Sequence, residues 1–451
     1  MVTNTYKNST IYTMKDINNN IIQKALLIYT NIDSLNQSEK LENSFEEFHT
    51  LVQSSGTEII KTLKFNQKIP VTSSFISKGK LDEIKNELLG KNIDLIIINH
   101  QLSASQNRNL EKFLSKRVID KTELILDIFA TRASSYIGKL QVELAQLNHL
   151  STRLIRGWTH LERQKGGIGL RGPGETQLET DRRLIGKRIK RLNSRLNKAH
   201  KQREINRYSR KKSRSKIVAL VGYTNAGKTT LFNKLTHSFQ LAEDKLFATL
   251  DSVTRKNKLP EHGPILFSDT VGFISDLPTQ LVESFKATLD ELKSADLLLH
   301  VSDISDIDNK IKYREVNKIL EELGLINIPQ IIVNNKCDLI SDSKLKLIEK
   351  RKQEEIFISA ENEFEFDKLR SFINEKLFNG IYEGWVSLDN NLGNIRSMLF
   401  DMGCVEEEKV SENGTMFANV KIGNDELDQF VGMKGFELCT DKDILLKSTK
   451  I

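Results

Sequence analysis

Between residues 23 and 130 the chain alternates short apolar runs with stretches of helical period. ALLIY (25–29), TEIIKTLKF (57–65) and DLIIINH (94–100) read as strands, and RVIDKTELILDIFA (117–130) as a strand region. SEKLENSFEEFHTLVQSSG (38–56), with Ser38 as a candidate N-cap, KGKLDEIKNELLGKN (78–92), closed by Gly90, and SQNRNLEKFLSK (105–116) read as helices. This rhythm predicts a small parallel sheet flanked by helices. The pattern then becomes purely helical. Leu140, Leu144, Leu147 and Leu154 form a seam over 138–156, with polar Ser151 as its weak link. A second stripe, Leu178, Ile185, Ile189, Leu192, Leu196 and Ala199, runs over about 176–208. The two predict a long antiparallel helical hairpin.

From 216 to 378 strands and helices alternate again, which predicts a doubly wound sheet. Its strands include Ile217–Val221, LLLHVSD (297–303), the run ending in Asn335 and IFISA (356–360), and a helix is expected over 279–293. The last stretch holds a helical run, NIRSMLFDMG, and a strand-like run, TMFANVKI, so a small α+β appendage is expected. Gly380 and Gly384 mark the linker before it. The expected organisation is thus a disordered tail (1–22), an N-terminal α/β subdomain (23–136), the hairpin (137–214), the doubly wound domain (215–378) and the appendage (379–451).

Charge adds a feature that periodicity does not show. The 451 residues carry a net +7, yet Ser151–Lys216 holds 21 Lys and Arg against five acids, a local +16. The remainder is therefore −9. With so few acids as mates, the basic hairpin predicts a polyanionic partner, RNA first; a solvated surface is the alternative. Arg182, Arg183, Lys187, Arg188 and Arg191 lie on its polar faces. Five glycines and Pro173 lie between residues 166 and 174, with Arg171, Gly172, Gly174 and Glu175 as the candidate contact tip. No apolar stretch approaches the ~18 residues a membrane span needs. The N-terminus shows no secretory pattern, and three cysteines without a CxxC pair suggest a reducing, cytoplasmic home.

Chemistry concentrates in the doubly wound segment. Gly222-Tyr223-Thr224-Asn225-Ala226-Gly227-Lys228-Thr229, followed by Thr230, fits GxxxxGK[ST] between a strand and a helix. Its glycines let backbone N–H groups face phosphate oxygens, aided by the helix N-terminus. Lys228 reaches the β/γ-phosphates, and the Thr229 hydroxyl can ligate Mg²⁺. Asp269-Thr270-Val271-Gly272 is DxxG: the Asp holds Mg²⁺ through water and the Gly N–H senses the γ-phosphate. Phe247, Ala248, Thr249 and Leu250 form the intervening switch, with Thr249 as the second Mg²⁺ hydroxyl. Asn335-Lys336-Cys337-Asp338 is NKxD, and Ser359-Ala360 fits the loop closing over the base. A buried Asp338 would pair with guanine N1–H and N2–H₂ and be left unpaired by adenine. Together these predict GTP and GDP as ligands, with Lys228, Thr249 and Gly272 carrying hydrolysis.

The GGIGLRGPGETQLETDRR stretch, with GKLQVELAQLNHL and the GYTNAGKTT site, resembles the HflX family of ribosome-binding GTPases over roughly residues 23–378. The resemblance implies a GTP-dependent factor that binds the large ribosomal subunit and splits stalled or idle ribosomes under stress; a monomer is expected. It places the tip near the peptidyl-transferase region, Mg²⁺ on Thr229 and Thr249, and guanine on Asn335, Lys336 and Asp338. Phe273 follows Gly272 where Ras-like GTPases carry the water-orienting Gln, so slow intrinsic hydrolysis stimulated by a partner is expected. Asn225 stands where some relatives help hold K⁺; a loop-stabilising role is the alternative. Ser252 and Val253 replace a common Pro and Thr, and Leu170 a Thr. Two other jobs remain open: a GTPase of ribosome assembly or RNA remodelling, and a protein-binding switch without RNA.

Overall fold

The computed structural model describes residues 22–32, 44–157, 173–212, 216–238, 246–247, 253–258, 264–270, 272–274, 292–341, 343, 345–346, 355–378, 380–411 and 414–439. They fall into two compact units, one built mainly on 44–125 and the other on 126–154 and 167–451. The expected tail, Ser38, the helix over 279–291, Gly166–Gly172, Ala248–Leu250 and Val271 lie outside the described residues.

The first unit is a four-stranded parallel sheet, order β2-β1-β3-β4, from β1 (Lys24–Ile32), β2 (Glu58–Gln67), β3 (Leu95–Ile98) and β4 (Arg117–Asp120). Helices α1 (Ser44–Ser54), α2 (Lys78–Leu88) and α3 (Ala104–Leu114) connect the strands. Ile28, Ile96 and Ile98 are fully buried, as strands covered on both faces must be. Ser103 and Gln106 close a capping box that starts α3.

Residues 117–130 differ from the sequence expectation. The strand ends at Asp120, and α4 (Lys121–Arg132) follows at once. Asp120 is fully buried, and its carboxylate accepts from the N–H of Glu123 at 2.8 Å, an N-cap that turns the chain helical. Leu124, Ile125, Ile128 and Phe129 are then buried at helical spacing, which a short apolar run cannot distinguish from a strand.

In the second unit α5 (Tyr136–Gly157) and α6 (Pro173–Lys212) form the hairpin arms. Leu140 and Leu144 pack with Leu192 and Leu196, flanked by Ile137, Leu147 and Ile189. Helix α6 begins at Pro173, three residues before the expected start. Proline is favoured there because the first helical N–H has no partner anyway. Pro173, Gly174 and Glu175 are therefore helical rather than loop.

The central sheet has the order β10-β9-β8-β5-β7-β6. Its strands are β5 (Ile217–Gly222), β6 (Val253–Lys258), β7 (Pro264–Asp269), β8 (Leu297–Asp303), β9 (Gln330–Asn335) and β10 (Ile356–Phe357). All pairs are parallel except β6–β7, so Val253 opens an antiparallel edge strand. Helices α7 (Lys228–Thr236), α8 (Asn309–Glu322) and α9 (Phe366–Phe378) accompany it. Val218, Leu220, Phe232, Phe267, Leu299 and Val301 make a fully buried core. Because β5 is flanked by β8 and β7, the crevice at its C-terminal end is a topological switch point.

The C-terminal piece is β11 (Ile381–Leu388), α10 (Gly393–Met402), β12 (Val405–Val410), β13 (Met416–Gly423), α11 (Asn424–Leu427) and β14 (Phe436–Cys439). The order β12-β13-β11-β14, all antiparallel, is a split βαβ sheet. Gly384 is not linker. It lies inside β11 opposite Val420, where a Cβ would stand 3.0 Å from the Tyr382 hydroxyl.

Candidate functional site

The site is assembled at the C-terminal ends of β5, β7, β8 and β9. Strand β5 delivers Gly222, and α7 starts at Lys228. The loop between them depends on its glycines. Gly227 has φ +88°, and a Cβ there would strike the Asn335 amide; a Cβ on Gly222 would strike the Val301 carbonyl. Asn225 is exposed with φ +61°, a left-handed conformation that Asn tolerates better than most residues. Asparagine therefore suits the backbone that the loop adopts at this position.

The segment after β7 is clamped to this loop through its backbone. Thr224 N–H donates to the Phe273 carbonyl (2.7 Å), and Phe273 N–H donates to the Gly222 carbonyl (3.1 Å). Phe273 is buried at 3% exposure, and its apolar ring carries no group that could orient a water. At Gly272 a Cβ would meet Thr224 Cα at 2.9 Å and Lys228 Nζ at 3.0 Å, so only glycine lets the chain pass. Thr270 is buried too, its hydroxyl donating to the Leu220 carbonyl at 2.6 Å. It ties β7 to β5 rather than facing a ligand. Sequence reasoning missed the Phe273 clamp because it is made by main-chain atoms.

Thr229 Oγ1 donates to Asp269 Oδ2 at 2.9 Å, and Asp269 is fully buried. The two motifs thus bring two hard oxygen ligands side by side, the donor set Mg²⁺ prefers. Lys228 Nζ donates to the Tyr223 carbonyl at 2.6 Å. Burial pushes its ammonium down to about 8, against the opposing pull of Asp269. Thr230 follows within the first turn of α7, half-buried.

On the β9 side Asn335 is buried and fully used. Its Nδ2 donates to the Ala226 carbonyl (2.9 Å), and its Oδ1 accepts from the Ala360 N–H (2.9 Å). It clamps the phosphate loop to the Ser359-Ala360 loop. Ser359 is buried and accepts from Asn362 N–H at 3.3 Å. Lys336 has φ +63° and pairs with Asp303 at 2.8 Å, a partner at the end of β8 that the motif did not name. Lys312 lies over the Tyr223 ring at 4.9 Å, a second unforeseen contact. Asp338 is exposed, not buried as the discrimination argument requires. The penalty for adenine therefore arises only once a base covers this carboxylate. Phe247 is buried with φ +58°.

The arrangement has a titration consequence. Phosphate oxygens beside Lys228 favour its charged form, so binding raises a pKa that starts near 8. Binding GDP at pH 8.5 is expected to take up a fraction of a proton, and at pH 6.5 none through this group. Calorimetry in buffers of different ionisation enthalpy reads this directly. Zero uptake at pH 8.5 would contradict it.

Fold and site together define a P-loop GTPase: a phosphate loop at the switch point of a doubly wound sheet, Thr229 hydrogen-bonded to a buried Asp269, and an NKxD turn. Family models agree. "GTP-binding GTPase N-terminal" matches residues 42–130, "GTP-binding GTPase Middle Region" matches 132–210, and "50S ribosome-binding GTPase" matches 217–336. The GTPase HflX of Escherichia coli strain K12 is 44% identical over 388 residues, covering 86% of this chain and 91% of its own. That of Lacrimispora saccharolytica is 38% identical, covering 91% and 95%. A solved GTP-binding protein from Sulfolobus solfataricus, in complex with GDP, aligns at 27% identity over 79% of this chain and 99% of its own, with a TM-score of 0.42. The chain belongs to the HflX family of ribosome-binding GTPases and hydrolyses GTP. No helix among the described residues is long and apolar enough to cross a membrane.

Proposed function

We propose that this chain engages the large ribosomal subunit in its GTP form and separates stalled or idle ribosomes under stress, acting as a cytoplasmic monomer. The observation that carries this reading is the basic hairpin, carried on the same chain as the nucleotide site. Arg182, Arg183, Lys187 and Arg191 are exposed along α6, and Arg188 is exposed beside Glu143, with Nε–Oε1 at 2.7 Å. A basic rod of this kind suits the backbone of structured RNA, whose recognition is largely by shape and phosphate. Arg171 and Gly172 at the tip remain contact candidates, with Pro173, Gly174 and Glu175 now on the first turn of α6.

In the hydrolytic step, Lys228 and the loop N–H groups hold the phosphates, and Gly272 N–H approaches the γ-phosphate. Thr229, Thr249 and Asp269 would hold Mg²⁺, which neutralises charge on the phosphate oxygens when bound. Lys336 and Asp338 face the base, and Asn335 acts as the clamp that positions the phosphate loop. With Phe273 buried, water must be oriented by a group the partner supplies or organises. Phe273→Gln is therefore expected to stay as slow as the parent alone, and both are expected to accelerate with ribosomes. Absence of ribosomal stimulation in both would sink this assignment.

The deciding experiment is sucrose-gradient sedimentation of purified ribosomes with the protein and GTP, a non-hydrolysable analogue, GDP or no nucleotide. Separation into subunits with GTP or its analogue, and not with GDP, is expected. Co-sedimentation without separation would favour assembly or remodelling. No association would leave the hairpin a solvated surface. Reversing Arg182, Arg183, Lys187 and Arg191 to Glu should weaken co-sedimentation about tenfold or more, with a shallower salt dependence. GDP affinity should not change.

A further inference from the structure

Strand β8 passes to α8 through a short loop that carries two carboxylates, each with both oxygens engaged. Asp303 accepts from Ser305 N–H at 3.0 Å through Oδ1 and pairs with Lys336 at 2.8 Å through Oδ2, at the base end of the site. Asp306 accepts from Asp308 N–H at 2.9 Å through Oδ1 and pairs with Lys312 at 2.5 Å through Oδ2. Lys312 stands on the first turn of α8, and the pair is largely shielded, its side chains 17% and 19% exposed. Pinned in this way, the Lys312 ammonium lies 4.9 Å from the centre of the Tyr223 ring. Tyr223 is the second residue of the phosphate loop and is 6% exposed. Its carbonyl accepts from Lys228 Nζ at 2.6 Å. One loop residue thus meets two cations, Lys312 at its ring and Lys228 at its carbonyl.

We propose that Lys312 is a positioning residue for phosphate binding: pinned by Asp306, its ammonium holds the Tyr223 ring and so fixes the carbonyl from which Lys228 reaches the phosphates. The inference rests on Lys228 as the group that meets the β-phosphate. An ammonium has three donors on a flexible stem and no fixed direction of its own. The Tyr223 carbonyl takes one of the Lys228 donors and thereby orients the other two. Between Gly222 and Gly227 the loop has one large side chain by which its backbone can be held, and that side chain is Tyr223. A cation attracts the face of a ring more strongly where both have shed water, as they have here. Without that cation the ring is free to shift, and the carbonyl shifts with it. The Asp303–Lys336 pair stands apart from this contact, at the other end of the site. The effect therefore falls on the phosphates and spares guanine.

The test is competition of GDP and of GMP against a fluorescent guanine nucleotide on the full chain, parent and variants. GMP carries the base without the β-phosphate, so the ratio of the two affinities isolates what the phosphate end contributes. Lys312→Met keeps the reach of the side chain and removes its charge. It is expected to lower the GDP-to-GMP affinity ratio by about two- to thirtyfold, the range a cation over an aromatic face carries. Tyr223→Leu should lower it similarly, and the double variant no further than either single one, because both remove the same contact. Lys312→Arg should restore the ratio to within about twofold of the parent, since a guanidinium both stacks on a ring and pairs with a carboxylate. Merely loosened packing would lower both affinities together and leave the ratio where it was. Melting curves of the variants exclude misfolding. An unchanged ratio in Lys312→Met, additive effects in the double variant, or an arginine variant as impaired as the methionine one overturns the proposal. Lys228→Met separates it from its premise. If that variant lowers the ratio while Lys312→Met keeps it, the Lys228 assignment stands and the positioning role falls. If Lys228→Met keeps the parent ratio, both fall.

Discussion

Replacing Asn335 with alanine is expected to lower guanine-nucleotide affinity by about thirtyfold or more. The expectation follows from what the side chain joins, not from contact with the base alone. Its amide donates to Ala226 in the phosphate loop and accepts from Ala360 in the loop after β10. Truncation leaves both main-chain groups buried without partners. Each such loss costs about 1–3 kcal/mol. If the full cost appears as lost preorganisation, two losses together give about 2–6 kcal/mol, or thirtyfold and upward in affinity. Asn335→Asp discriminates between the two contacts. It keeps the acceptor for Ala360 N–H but sets an anionic oxygen against the Ala226 carbonyl, so it should be no better than alanine. Equilibrium titration with a fluorescent GDP analogue measures both. An affinity within threefold of the parent would show that the phosphate loop holds its shape without the clamp.

That clamp also marks where the sequence stops being informative. The phosphate loop, DxxG and NKxD were legible because each is a local pattern whose chemistry fixes its spacing, and Thr229 and Asp269 meet at 2.9 Å as the patterns require. The partners of Asn335 lie 109 and 25 residues away and present only main-chain atoms, which leave no mark in the choice of side chain. Phe273 is similar. Its identity suggested a missing water-orienting group, while its structural work is done by its N–H and carbonyl. The exposure of Asp338 was hidden for another reason: a motif specifies which group faces the base, not how far solvent reaches it.

Errors in the fold have the same character. Residues 121–130 looked strand-like because a compact apolar run fits either period, and the deciding residue was Asp120, a buried cap read as part of the strand. Strand β12, VEEEKV, went unseen because its three consecutive acids suppress any apolar alternation. It pairs with β13 alone, at the edge of the sheet, where solvent accepts those charges. The hairpin, by contrast, was legible, since four leucines at regular spacing make its seam. Only its boundary moved, to the proline that chemistry favours at a helix start.

The second large effect expected is acid destabilisation through His300. This side chain lies on β8 in the middle of the central sheet, 1% exposed, its ring stacked on Tyr313 with centroids 4.4 Å apart. Burial and then the nearby Lys228 charge hold its pKa down to about 4, against the smaller opposing influence of the neighbouring Gln330 and Asn317 side chains. The ordinary value is 6.5. Below pH 6.5 the unfolded chain takes up a proton that the folded chain refuses, so stability falls as the pH falls. Above pH 6.5 neither state is protonated there, and the contribution is complete. The loss grows by about 1.4 kcal/mol per pH unit and approaches roughly 3 kcal/mol near pH 4. Lys228 adds nothing in this window, because its own shift operates only above about 8. His300→Phe removes the titrating group while keeping a ring to stack on Tyr313. The profile of the variant between pH 6.5 and 4.5 should be flatter than that of the parent. Urea unfolding followed through protection of the β8 amides, at pH 7, 5.5 and 4.5, reads the difference. Parallel profiles for the two proteins would mean that His300 carries a proton in the folded core and that Lys228 has a charged neighbour instead of a neutral one.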